Sequence, residues 1–169
     1  MALAVPLSRF TSQVAGGSAF YVRPLTHAMS IITIQSVDKN DSIHIEPSES
    51  GHLVRASFRG ESITNKSVGF TGVPDFTKML ADVVRNRNGW AILDGTEDFR
   101  LVVEADRELD HVWLTFHVAR YFKIHNPKKE RSRSSFIMLT GSFPISDEIS
   151  GRMIHSFTEL FAKHETPVA

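Results

Sequence analysis

Eight histidines are the residues of this chain best suited to hold a metal or move a proton, and their spacing argues against both roles. They are His27, His44, His52, His111, His117, His125, His155 and His164. No pair has the i, i+4 spacing of a helical HExxH site or the short loop spacing of a zinc motif. His111 and His117 share a strand face, but six residues of strand hold them about 20 Å apart, too far to chelate one ion. The chain contains no cysteine, which removes disulfide frameworks, thiolate metal sites and Cys nucleophiles together. Neither Gly141-Ser142-Phe143 nor Gly17-Ser18 forms a GxSxG elbow. No Gly-rich phosphate loop is present, and Gly69-Phe70-Thr71-Gly72 reads as a turn before a helix. No cofactor or metal is expected, and the chain reads as a binding protein rather than a catalyst.

Two charge runs suggest what it binds. From Asp94 to Asp110 the acids Asp94, Glu97, Asp98, Glu104, Asp106, Glu108 and Asp110 face only Arg100 and Arg107. One hairpin end is therefore expected to be strongly negative. Glu104, Asp106, Glu108 and Asp110, with Trp113 as aromatic anchor, form a candidate docking face for a basic protein partner. The second run is Arg120, Lys123, Lys128, Lys129, Arg131 and Arg133, opposed by Glu130 alone, with Tyr121 and Phe122 at its start. Basic loops beside stacking aromatics suit nucleic acid, so this 120–133 loop is a further candidate, provided it joins other Lys and Arg residues, such as Arg85 and Arg87, in one continuous patch. Tyr121 and Phe122 alternate across a strand, which predicts at least one of them in the core. A small-molecule or enzyme site between helices and sheet, around Trp90, Trp113 and the histidines, is the alternative. Across the whole chain 19 Lys and Arg balance 19 Asp and Glu, so no global field draws it to nucleic acid or anionic membrane.

The elements that must position these groups are legible from periodicity. Ile32, Ile34, Ile43 and Ile45 alternate on either side of Asp38-Lys39-Asn40-Asp41, which predicts a hairpin. Strands are expected over His52–Arg59 and Ile63–Phe70 as well. The period then changes: Phe76, Met79, Leu80, Val83 and Val84 form one helical stripe behind Pro74 and Asp75. Further strands are expected at Trp90–Leu93, Phe99–Ala105, His111–Phe122 and Ser134–Ile145. Ser146, Asp147 and Glu148 open a last helix that buries Ile149, Met153, Phe157, Leu160 and Phe161, with Lys163 and His164 closing it. Hairpin-length connections favour an antiparallel sheet over parallel βαβ units. The expected fold is α+β, a two-layer sandwich with one antiparallel sheet of about six to eight strands and two helices on one face. Residues 29–165 form the single domain; 1–28 read as a leader, disordered or outside the native chain. A long strand such as His111–Phe122 at a sheet edge would allow a homodimer. No apolar run approaches the length of a membrane span, and no membrane partner and a cytoplasmic location are expected.

Several segments also resemble a known family. They are Gly72-Val73-Pro74-Asp75-Phe76 leading into Leu80-Ala81 and Gly89-Trp90, and the hairpin from Phe99-Arg100-Leu101-Val102 to Asp110-His111-Val112-Trp113-Leu114. To these add Ser146-Asp147-Glu148 opening a helix that ends Leu160-Phe161. Across roughly residues 30–162 this resembles a family of small bacterial proteins known only as a domain of unknown function. That family is similar in size and layout to single-domain immunity proteins of bacterial toxin systems. The resemblance implies a single α+β domain that acts by binding another protein.

Overall fold

The computed structural model describes residues 31–105, 111–126 and 131–162. The 1–28 leader, Asp106, Glu108, Asp110, Lys128, Lys129, Lys163 and His164 lie outside the described residues, as do the side chains of Arg131 and Arg133. The fold is α+β and mostly strand. In chain order the elements are β1 (Ile32–Gln35), β2 (Ser42–Ser48), β3 (Gly51–Phe58), β4 (Glu61–Val68), β5 (Phe70–Thr71), α1 (Val73–Asn86), β6 (Gly89–Gly95), β7 (Arg100–Ala105), β8 (Val112–Asn126), β9 (Arg131–Ile145) and α2 (Asp147–Ala162). They form two antiparallel sheets, β1-β2-β3-β4 and β5-β6-β7-β8-β9.

The sequence predicts one sheet of six to eight strands; the structure has two, of four and five. The difference arises at Gly69. The strand expected over Ile63–Phe70 ends at Val68, and Phe70–Thr71 pairs with β6 instead. Gly69 donates its N–H to Thr96 Oγ1 at 2.8 Å, and its carbonyl accepts the Thr96 N–H at 2.8 Å. These two bonds fix the chain to the β6–β7 turn and pass it from the first sheet to the second.

In the first hairpin Ile32 stands opposite Ile45 and Ile34 opposite Ile43, and all four are buried. Its turn is tied by Asp38, whose carboxylate accepts from the Ser36 hydroxyl at 2.5 Å and from Asn40 Nδ2 at 2.8 Å. Those donors, Ser36 foremost, hold the Asp38 carboxyl below its usual range.

α1 starts after Gly72 in the left-handed region (φ 67) and buries Val73, Phe76, Leu80 and Val83, while Met79 stays partly exposed. At the start of α2 the Ser146 hydroxyl accepts the Ile149 N–H at 3.3 Å, the expected cap. Met153, Phe157 and Leu160 point inward, and Ile149 and Phe161 are half-buried. The helices meet through Phe76 and Phe157, edge to face at 5.1 Å, and through an Arg87–Asp147 ion pair. α1 lies against β6 and β7, and α2 reaches β1. Inward residues of both sheets and both helices form one hydrophobic cluster.

Candidate functional site

Alternation along the second sheet sends Ala91, Leu93, Leu101, Val103, Leu114 and Phe116 into that cluster, all fully buried. Their neighbours must therefore face outward, away from the helices. Register then decides which outward residues meet. Trp90 stands opposite Glu104, and Glu104 opposite Trp113. Glu104 is exposed, Trp90 is 64% exposed and Trp113 36%. Two strand spacings separate the tryptophans, about 10 Å, with the carboxylate between them. An aromatic face attracts a cation through its quadrupole, and a neighbouring carboxylate adds charge attraction. Such a row can attract a cationic group.

The expected site between helices and sheet is not where the tryptophans are: that space is filled by Phe76, Leu80 and Phe157 among others. The acidic run is also split. Asp94, Glu97 and Asp98 belong to the β6–β7 turn region at one end of the sheet, whereas Glu104 and the connection to β8 lie at the other. Of the acidic docking candidates, Glu104 is the described one, and it stands beside Trp113 as the sequence predicts.

A second outward row links Asp94, Arg100, His117 and Thr140. Arg100 Nε donates to Asp94 Oδ1 at 2.6 Å, a bond that raises the guanidinium pKa further. His117 Nδ1 and Thr140 Oγ1 lie 3.2 Å apart. Asp94, Arg100 and His117, with Asp98, Phe99 and Met138, line an open depression of about 460 Å³.

Beyond this row the sheet narrows to two strands. β7 pairs with β8 only as far as His117, while β8 and β9 continue together to Asn126 and Arg131. At the root of this arm Asn65 Nδ2 donates to the Ala119 carbonyl at 2.7 Å and to Glu97 at 2.8 Å. Tyr121 donates its hydroxyl to Asp98, a bond that raises the phenol pKa above 10.0, aided by lost solvation and the charges of Asp98 and Glu97. The expectation that Tyr121 or Phe122 is core fails, since they are 43% and 38% exposed. β9 flanks these positions on one side, but on the other β7 stops opposite His117. Phe136, Ile137 and Met138 on β9 are more than half exposed as well.

Lys123 is exposed on the arm. Arg85 and Arg87 are remote from it: α1 ends where β6 begins, at the Trp90 end, and Arg87 is paired with Asp147. Arg85 and Arg87 therefore do not join Lys123 in one patch, and the side chains of Lys128, Lys129, Arg131 and Arg133 lie outside the described residues. His52 packs against Phe70 and Phe161 with centroids at 4.8 and 5.3 Å. His44 and His155 each lie beside a glutamate, Glu46 and Glu159. Among the described residues no three His, Asp or Glu side chains group as a metal site, and no helix is long and apolar enough to cross a membrane. No protein-family model, curated protein or solved structure matches the chain.

Trp90 was missing from the docking face read from sequence. The signal was present in principle: once the turns set the registers of β6–β7 and β7–β8, Trp90, Glu104 and Trp113 fall on one row with outward parity.

Proposed function

We propose that this chain is a binding protein that docks a basic segment of a protein partner on Trp90, Glu104 and Trp113. The observation that carries the reading is the placement of an exposed carboxylate between two exposed indoles on adjacent strands. Arginine fits better than lysine, because a planar, weakly hydrated guanidinium stacks on an aromatic face while bonding to a carboxylate. The sequence adds Asp106, Glu108 and Asp110 in the connection that follows, which would steer a basic partner toward the row. A protein-binding role is also what the resemblance to immunity proteins implies.

Both tryptophans of the chain lie in this row, so intrinsic fluorescence reports on the site. Titration of the full chain with an oligo-arginine peptide should give a saturable change that weakens with salt. Glu104→Lys should lower the affinity by about tenfold or more. An unsaturable response, or equal binding by Glu104→Lys, overturns the assignment.

A further inference from the structure

The β9 edge carries a second interaction surface, distinct from the tryptophan row. Exposed strand edges invite pairing with another chain, and folded proteins shorten or cover them. Three of the four sheet edges here are managed in that way. β5 has two residues and β1 has four. β4 crosses close to β8, with Asn65 bonded to Ala119. The fourth edge, β9, has fifteen residues. Val37 closes it at one end by donating its N–H to the Pro144 carbonyl at 3.1 Å. From Thr140 back toward Ser132 it has no strand partner other than β8 among the described residues.

Within that open stretch the segment from Phe136 to Leu139 is apolar on both faces. Phe136 and Met138 lie on the outer face and Ile137 on the opposite one, exposed by 56%, 51% and 58%. Strands that are apolar on both faces are usually covered on both faces. With Tyr121 and Phe122, the arm holds five of the ten large apolar side chains that are exposed among the described residues. Soluble monomers seldom expose contiguous apolar patches beyond a few hundred Å².

We propose that a second copy of this chain covers the arm, with β9 pairing antiparallel to its counterpart about a two-fold axis at Ile137. The hydrogen-bond parity of β9 permits this. The Pro144 carbonyl points to the open edge, so Met138 and Phe136 do too. The pairing of Ala119, whose carbonyl faces away from β9, with Met138 gives the same parity. An axis at Ile137 sets Phe136 opposite Met138 of the second copy as a hydrogen-bonded pair and Ser134 opposite Thr140.

Charge selects this register over one nearer the arm's end. With the axis at Ile137, Arg133 lies opposite Gly141 and Arg131 opposite Phe143; an axis at Ser132 would set Arg131 against Arg133, and like charges directly opposite destabilise a pair. β8 cannot substitute, because it lies inside the sheet along its first half, and the sequence expectation of an edge at His111–Phe122 moves to β9. Nor does the arm suit insertion into a bilayer. Arg120, opposite Ile137, and Lys123 are exposed among its apolar side chains, and charged groups are costly in a bilayer interior. The two five-stranded sheets become one of ten strands, bounded at both ends by the two-residue β5.

The absence of cysteine permits a direct test. At the axis Ile137 forms a non-hydrogen-bonded pair with itself, with Cα atoms about 4.5 Å apart, within disulfide range. Full-length Ile137→Cys should form a disulfide-linked dimer under mild oxidation. Ser135→Cys should not, because in this register it lies opposite Leu139. Sedimentation of the unmodified chain should give the mass of a dimer, and Phe136→Pro, which removes an outward N–H while sparing the bonds to β8, should give a folded monomer by circular dichroism. A monomeric unmodified chain at tens of micromolar, or equal cross-linking of the two cysteine variants, overturns the proposal.

Discussion

The two ends of the second sheet expose aromatic residues under different conditions. At the Trp90–Glu104–Trp113 end the inner face packs on the core through Ala91, Val103 and Leu114, so only the outer face is open. At the arm, Phe122 and Ile137 on one face and Tyr121, Phe136 and Met138 on the other are all exposed. A sheet with a buried back offers a rigid platform for a small group such as one arginine side chain. A two-stranded ribbon with no buried back lacks that support and gains it only when another strand joins its edge. The same class of side chain is therefore exposed in two different settings, one backed by core and one not.

The sharpest way to probe that difference is to truncate one phenylalanine in each region. Phe116 is fully buried and meets Phe58 and Phe143 with centroids 6.0 and 6.1 Å away. Phe116→Ala should cost about 3–5 kcal/mol in denaturant unfolding. Phe136→Ala should leave the stability of the isolated protomer within about 0.5 kcal/mol. A large loss for Phe136→Ala in protein shown to be monomeric would make the arm part of the core and erase the contrast.

A smaller effect is expected at Gly141, where the sheet body gives way to the arm. A Cβ there would meet Phe116 at 2.6 Å and Phe58 at 2.7 Å, so Gly141→Ala forces two core rings to move. The expected loss is about 1–3 kcal/mol, and thermal unfolding would detect it. A neutral result would show that the rings yield and that the body tolerates change at its junction with the arm.

The smallest effect is a pH dependence at the root of the arm. Hydrogen bonding to Asp98 raises the Tyr121 pKa, so the folded protein holds that proton more tightly than the unfolded chain does. The stabilisation is complete below the unfolded value of about 10 and is lost as pH rises through the folded value. The melting temperatures of the native chain and Tyr121→Phe should differ near neutrality and converge in alkali. A constant difference across that range would remove Tyr121 from the attachment of the arm.

Much of this architecture was legible in local pattern. The isoleucine alternation in β1 and β2, the stripe of α1 and the Ser146 cap were each read from a few neighbouring residues, because local propensity and burial agree there. What was not legible depended on distant strands. Tyr121 and Phe122 alternate across the strand, so one of them should be core, yet β7 stops opposite His117 and burial along β8 ends at Ala119. The transfer of the chain between sheets depends on Thr96, far from Gly69 in sequence. The split of the acidic run between two sheet ends follows from β7 running between them. The tryptophan row needed two strand registers at once, whereas Trp113 and Glu104 were each visible as exposed candidates.

The order of strands within each sheet follows the order of the chain, with no crossover. Each strand pair can therefore close a loop of modest length, and entropy lost on loop closure grows with loop length. The contacts that span the chain are few by comparison, among them α2 against β1 and α1, Val37 bonded to Pro144, and the reach of Asn65 to Ala119. In kinetic terms the topology divides assembly into two local meanders, whose search is short, and a later joining of their ends, which bears the cost of sequence separation.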